Sequence, residues 1–187
     1  MSDSQNGGSA GSASGGTPGA APGGGEPSQQ QSLLTVHTQY VRDLSFENPN
    51  APQIYAQMKT QPKVDLRLEL PIRRIQERLF ELGLKFTLNA TLEEQTAFMI
   101  ELDYAGLISV GNHVQEEEIE AVLAIDGARM LFPFARRVIS DVARDGGFPP
   151  VMVGNMDFAQ LYRQRKAQGG SGEVAQGQGG GNGGVSL

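Results

Sequence analysis

The sequence predicts an α+β domain in which an antiparallel sheet comes first and helices follow. Two observations carry this. Apolar residues recur at every second position up to about residue 104, and at every third or fourth position after residue 115. Strands grouped before helices exclude the βαβ alternation of a parallel sheet. A third observation sets the boundaries. Most of the 25 glycines of this 187-residue chain lie in residues 1–32 and 168–187, tracts of Gly, Ser, Ala and Gln almost free of large apolar side chains. Such tracts bury too little surface to offset the entropy of ordering. The expectation is a disordered tail at 1–32, one domain at 33–167, and a second disordered Gly-rich tail at 168–187.

The first strand reads Val36, Thr38, Tyr40, Leu44 and Phe46, with Tyr40, Leu44 and Phe46 on one face and Asp43 and Glu47 on the other. Residues 48–62, NPNAPQIYAQMKTQP, form a connection bounded by prolines. In the second strand Val64, Leu66, Leu68 and Leu70 alternate with Asp65, Arg67 and Glu69; Pro71 ends it, having no N–H for a ladder. The third strand is the most regular, with Phe80, Leu82, Leu84, Phe86, Leu88, Ala90 and Leu92 on one face. Glu93–Gln95 turns the chain, and Phe98, Ile100, Leu102 and Tyr104 form the inner face of a fourth strand, with Met99, Glu101 and Asp103 opposite. Such alternation marks an antiparallel sheet with one buried and one wet face.

From Gln115 to Arg144 the period becomes helical, with Ile119, Val122, Leu123, Phe134, Val138, Ile139 and Val142 on the apolar stripe. Glu116, Glu117 and Glu118 complement the positive end of that helix. Gly127 and Pro133 are expected to interrupt or kink it. Residues 145–150, DGGFPP, stop it, and a shorter helix follows with Asp157 as N-cap and Phe158, Leu161 and Tyr162 on one side. The predicted architecture is therefore a four-stranded antiparallel sheet followed by a long kinked helix and a shorter C-terminal helix.

Composition removes several functions. There is no cysteine, so no disulfide, thiolate metal site or Cys nucleophile is possible. A net charge of −6 argues against nucleic-acid binding and permits a basic protein partner. The N-terminus lacks the basic and apolar segments of a secretory signal, and the apolar runs are far too short to span a bilayer, which predicts a soluble cytoplasmic protein without direct membrane insertion. His37 and His113 fall in separate elements, and neither a nucleotide loop nor a nucleophile elbow is present. The residues read as a binding module, not an enzyme, with no cofactor and no metal.

Two surfaces are candidates for binding. Asp43 and Glu47 point the same way about 13 Å apart along one strand, and Met99 and Glu101 about 7 Å apart along another. All four can lie on one outer sheet face, which is either a docking surface or a solvated face charged for solubility. The second surface is apolar. Ile54, Tyr55 and Met58 in the connection, and Phe148, Val151, Met152 and Val153 before the last helix, form either a lined groove or a lid over the core.

Four stretches in order, YVRDLSFENPNAP, TAFMIELDYAGLISV, LFPFARRVISDVARDGGFPP and DFAQLY, resemble the bacterial export chaperone family SecB. The resemblance runs from about Leu33 to Tyr162 and omits both tails. It implies a four-stranded antiparallel sheet backed by a long and a short helix, assembled as a homotetramer that is a dimer of dimers. It implies a cofactor-free, ATP-independent cytosolic chaperone that binds unfolded precursor proteins, keeps them export-competent and delivers them to the motor SecA. By the resemblance, Asp43, Glu47, Met99 and Glu101 fall on the positions that dock the basic C-terminal segment of SecA; Met99 stands where a leucine is usual, a nearly volume-conserving exchange. The client groove would be lined by Ile54, Tyr55, Met58, Phe148, Met152, Phe158, Leu161 and Tyr162. The connection departs from the family pattern by one extra residue and by the absence of an aromatic near Met58. The alternatives are a SecB-like chaperone dedicated to an antitoxin or another single client, a small thioesterase-like enzyme, and an oligomerisation module whose tails do the binding.

Overall fold

The computed structural model describes residues 32–167 and the backbone of Val174–Gln176. The expectations for the two tails otherwise lie outside the described residues. Strands β1 (Leu34–Glu47), β2 (Lys63–Glu69), β3 (Ile72–Gln76), β4 (Leu79–Leu92) and β5 (Gln95–Val110) build one antiparallel sheet. Its order is β1-β5-β4-β2, with β3 also beside β4 and β6 (Val174–Gln176) on the outer side of β2. The short helix α1 (Gln53–Gln57) lies in the connection after β1. After β5 come a 3-10 turn at Glu116–Glu118, α2 (Ile119–Val122), a π-helical turn at Leu123–Gly127, α3 (Ala128–Asp145) and α4 (Phe158–Ala167).

The core lies on one side of the sheet. Leu82, Leu84, Phe86, Leu88, Ile100, Leu102 and Ile108 are buried together with Leu123, Leu131, Ala135 and Ile139. Small residues set the helix–sheet distance. A Cβ on Gly106 would stand 2.7 Å from Leu131 Cδ2, so the glycine leaves a notch that the leucine fills. This glycine is also why the alternation read from sequence stopped at Tyr104, whereas β5 continues to Val110.

Some expectations hold and others are corrected. Pro71 ends β2 as expected, but the four expected strands are joined by an unexpected one: β3 resumes the same track along β4, and the Pro71 carbonyl accepts from the Gly83 N–H at 2.8 Å. Proline removes a donor but keeps its acceptor, and Gly83 has no Cβ to strike the ring. The long helix is interrupted at Gly127 as expected, by the π-helical turn that this glycine closes, whereas Pro133 does not interrupt it and α3 runs on through that residue. Tyr40 does not share a face with Leu44 and Phe46. Register shifts between Val36 and Thr38 and between Val41 and Asp43 insert one extra residue each, and each insertion exchanges the two faces. Leu44 and Phe46 pair with Leu102 and Ile100 on the core side, while Tyr40 pairs with Ala105 on the outer side.

The β4–β5 hairpin turns through Glu93 and Glu94, both with positive φ (46° and 68°). This is the geometry of a two-residue hairpin loop that Asn-Gly adopts with less strain. Glu94→Gly should therefore stabilise the domain by about 1 kcal/mol, raising the midpoint of thermal unfolding by roughly 3–5 °C. An unchanged or lower midpoint by calorimetry would show that the turn is not strained.

Candidate functional site

The outer face is built by register. Asp43 pairs with Asp103, Ser45 with Glu101 and Glu47 with Met99, so Asp43, Glu47, Met99 and Glu101 occupy one face of two adjacent strands. Neighbouring strands lie about 4.8 Å apart, so these residues form a compact patch. Asp43, Glu47 and Glu101 are exposed and Met99 is half-buried. Among the described residues, no ion pair or side-chain hydrogen bond engages the three carboxylates.

Beside them lies a set of carboxylates that are neutralised. Arg42, the extra residue at the second bulge, donates from Nε and Nη2 to Asp103 Oδ2 (3.0 and 2.7 Å) and from Nη1 to Glu81 Oε2 (2.9 Å). Arg73 Nη2 also donates to Glu81 Oε2 at 3.0 Å, and the Tyr40 hydroxyl donates to Glu81 Oε1 at 2.5 Å. Glu81 is thus buried beneath its partners although it points to the wet face. The network ties β1, β3, β4 and β5 together around the bulge, and leaves Asp43, Glu47 and Glu101 as the free negative charge.

The hydrogen bond from Tyr40 holds the Glu81 carboxyl below the usual glutamate range, aided by Arg73 and Arg42 and opposed by burial. The same bond, then burial and the Glu81 charge, raises the Tyr40 phenol. A depressed carboxylate stabilises the fold above its unfolded pKa, and this is lost as pH falls through the folded value. A raised phenol stabilises the fold below its unfolded pKa, and this is lost as pH rises through the folded value. Urea-unfolding free energies of the parent chain should therefore fall in acid below the ordinary value of 4.5 and in alkali above 10.0. Glu81→Gln should flatten the acid limb, and an unaltered slope would remove Glu81 as its source.

The apolar candidates are placed by the end of α3. Gly147 has φ +82°, its N–H donates to Arg144 O at 2.9 Å, and the Phe148 N–H donates to Ala143 O at 3.1 Å. This is a Schellman ending, which needs a left-handed residue and folds the next side chain back onto the helix. Phe148 is thereby buried against Phe98 (ring centroids 4.6 Å) and Tyr55 (5.2 Å), and Phe98 stacks on Phe46 at 5.9 Å. The Asp157 carboxylate caps α4 by accepting from the Gln160 N–H at 3.0 Å. Phe158 then packs edge-on against Phe132, 5.5 Å away, and no ring contact among the described residues joins it to Tyr55 or Phe148.

The eight groove candidates consequently differ in access. Ile54, Phe148, Phe158 and Leu161 are buried. Met58 and Tyr162 are half-buried, Tyr55 is exposed, and Met152 is 84% exposed. Phe46 and Phe98 complete the aromatic stack, yet sequence reasoning assigned both to strand packing alone. Their even positions marked a core face but not which ring ends up beside Phe148.

The chain is similar to proteins of one family along almost all of its described length. The family model described as preprotein translocase subunit SecB matches residues 27–169. The chain belongs to the SecB family. The protein-export protein SecB of Parvibaculum lavamentivorans is 48% identical over 145 residues, covering 78% of this chain and 86% of that protein. That of Rhodospirillum centenum is 43% identical over 152 residues, covering 80% and 90%. Among solved structures, a SecB-like chaperone of Mycobacterium tuberculosis in complex with a ChAD peptide from the HigA1 antitoxin aligns with a TM-score of 0.56 at 19% identity, covering 66% of this chain and 91% of that one. That likeness concerns the fold alone. As a SecB-family protein-export chaperone, the chain carries its aromatic stack and its acidic patch on opposite sides of one sheet.

Proposed function

We propose that this SecB-family chain is an ATP-independent holdase of the cytoplasm that captures unfolded precursor proteins, keeps them export-competent and passes them to SecA. The observation that carries the reading is the separation of two surfaces. Asp43, Glu47, Met99 and Glu101 form the docking face for a basic segment of SecA. Tyr55, Met58, Met152 and Tyr162 are the accessible rim of a client groove whose wall is Ile54, Phe148, Phe158 and Leu161. No cofactor takes part, and among the described residues no three Asp, Glu or His side chains converge to hold a metal. No helix among the described residues is long and apolar enough to cross a membrane. The domain at 33–167 carries both surfaces, with 1–32 and 168–187 as accessory tails.

Assembly as a homotetramer, a dimer of dimers, is supported by what one protomer leaves uncovered. Strand β1 pairs only with β5 among the described residues, so its other edge is open. Val41 and Leu44 on its core-side face, and Met130 and Phe134 on α3, are exposed apolar side chains. A tetramer multiplies the grooves, and weak sites linked along one unfolded chain gain roughly 10²–10⁴-fold in avidity. Binding the unfolded form but not the native one holds the client unfolded by mass action. The high identity to protein-export relatives favours export over a dedicated antitoxin client.

Refolding of a slow-folding precursor without nucleotide is the test. Arrest near stoichiometric tetramer is expected. Unchanged refolding would overturn the holdase reading.

A further inference from the structure

The groove residues that an unfolded segment would have to reach are shut inside the protomer. Ile54 is 1% exposed, Phe148 4% and Phe158 1%. What covers Phe148 is the connection after β1, which Asn50 anchors at its start by donating from Nδ2 to the Thr96 carbonyl at 2.9 Å and which Tyr55 ties to the end of α3. The Tyr55 hydroxyl donates to the Gly146 carbonyl at 2.7 Å and accepts from Asn48 Nδ2 at 2.6 Å. Gly146 closes α3, where helix carbonyls lack an intrahelical partner, so the phenol supplies a donor that the helix end needs. The approach is close because the residues opposite are glycines: a Cβ on Gly147 would lie 3.2 Å from the Tyr55 ring. Beneath the hydroxyl, the Tyr55 ring rests on Phe148, so releasing α1 uncovers Phe148, the ring of the stack that meets Tyr55, with Phe98 behind it.

We propose that the Tyr55 hydroxyl is a latch that holds α1 closed over the aromatic stack, so that apolar client segments bind only when it releases. This rests on the client-groove reading and adds a closed resting state to it. A latch of this kind keeps an apolar surface out of water until a client competes for it. It also lowers apparent client affinity by the fraction of protomers that are open. Hydrogen bonds of this exposed kind are weak singly, which suits a closure that a client must reverse.

The test uses Tyr55→Phe in the full chain. The ring and its stacking remain, and both hydrogen bonds of the hydroxyl are lost. Two measurements are made on the parent and variant chains. In the first, the concentration that half-arrests refolding of a slow-folding precursor should fall by about threefold to tenfold in the variant. In the second, without client, amide hydrogen exchange at Ile54 and Met58 should accelerate by a similar factor, while Leu84 and Leu102 in β4 and β5 keep their protection. Equal exchange in the two chains would overturn the latch whether or not a client binds. A parent chain that arrests refolding, with a variant no more potent, would overturn its control of the groove. A parent chain that fails to arrest refolding overturns the chaperone reading instead, and the exchange data still decide whether the hydroxyl holds α1. Asn48→Ala, which removes the second partner, should move both readouts in the same direction as Tyr55→Phe.

Discussion

Glu47→Lys combined with Glu101→Lys should lose binding to SecA by about 100-fold or more, while arresting the refolding of a client at the parent concentration. The magnitude follows from replacing attraction by repulsion against a basic partner, since like charges placed together across an interface cost several kcal/mol. Two free carboxylates are converted, and neither has a partner among the described residues whose loss would disturb the fold. Neither is a core residue, and the rings around Phe148 lie on the other side of the sheet. Titration calorimetry with the C-terminal segment of SecA, at two salt concentrations, measures the loss. The parent interaction should weaken with salt, because exposed charges are screened within about 10 Å at 0.1 M. A variant that lost client capture equally would show that the two faces are not separate sites. Asp103→Asn is the informative contrast. Its carboxylate is already neutralised by Arg42, so it should change SecA affinity much less than either reversal.

Phe98→Ala should destabilise the domain by about 3–5 kcal/mol, the range for removing a buried aromatic side chain. Phe98 is 1% exposed and lies between Phe46 and Phe148. Loss of the ring leaves a cavity whose two other aromatic walls stand on separate elements, β1 and the segment after α3, so collapse by local adjustment is restricted. Client capture should fall as well, since Phe148 loses the surface that holds it. Phe98→Leu keeps most of the volume and should recover the larger part of the stability, but not the stacking. Urea unfolding of both variants measures the first effect and refolding arrest the second. A cost below about 1 kcal/mol for the alanine variant would mean that the stack is loosely packed and is no floor for a groove.

The general plan of the protein was legible in the linear pattern. The alternation of Phe80 to Leu92 put seven apolar residues on one face, and all seven are buried in β4. The change of period after residue 115 marked the passage from sheet to helices, and Asp157 caps α4 as its residue type predicts. Gly146 and Gly147 announced the end of the long helix. These signals are local, because periodicity and capping depend on residues a few positions apart. The four residues of the outer patch were also placed on one face from spacing, and the register agrees. There, two inversions of face precede Asp43, and they cancel.

Only the tertiary structure decided the rest. That Tyr40 turns outward to Glu81 depends on bulges in β1, and a bulge is visible only against the strand it pairs with. That Arg42 clamps Glu81 and Asp103, 39 and 61 residues further along, follows from the same pairing. The two carboxylates that it quenches look no different in sequence from the three left free. Nor did the groove candidates declare that four of them are buried, since an apolar loop residue reads alike whether it lines an open cleft or closes one. The Tyr55 hydroxyl meets a backbone carbonyl 91 residues away, and every residue carries such a carbonyl. Alternation and caps are written in neighbours along the chain, whereas register, charge pairing and closure are settled between segments that meet only once the sheet has formed.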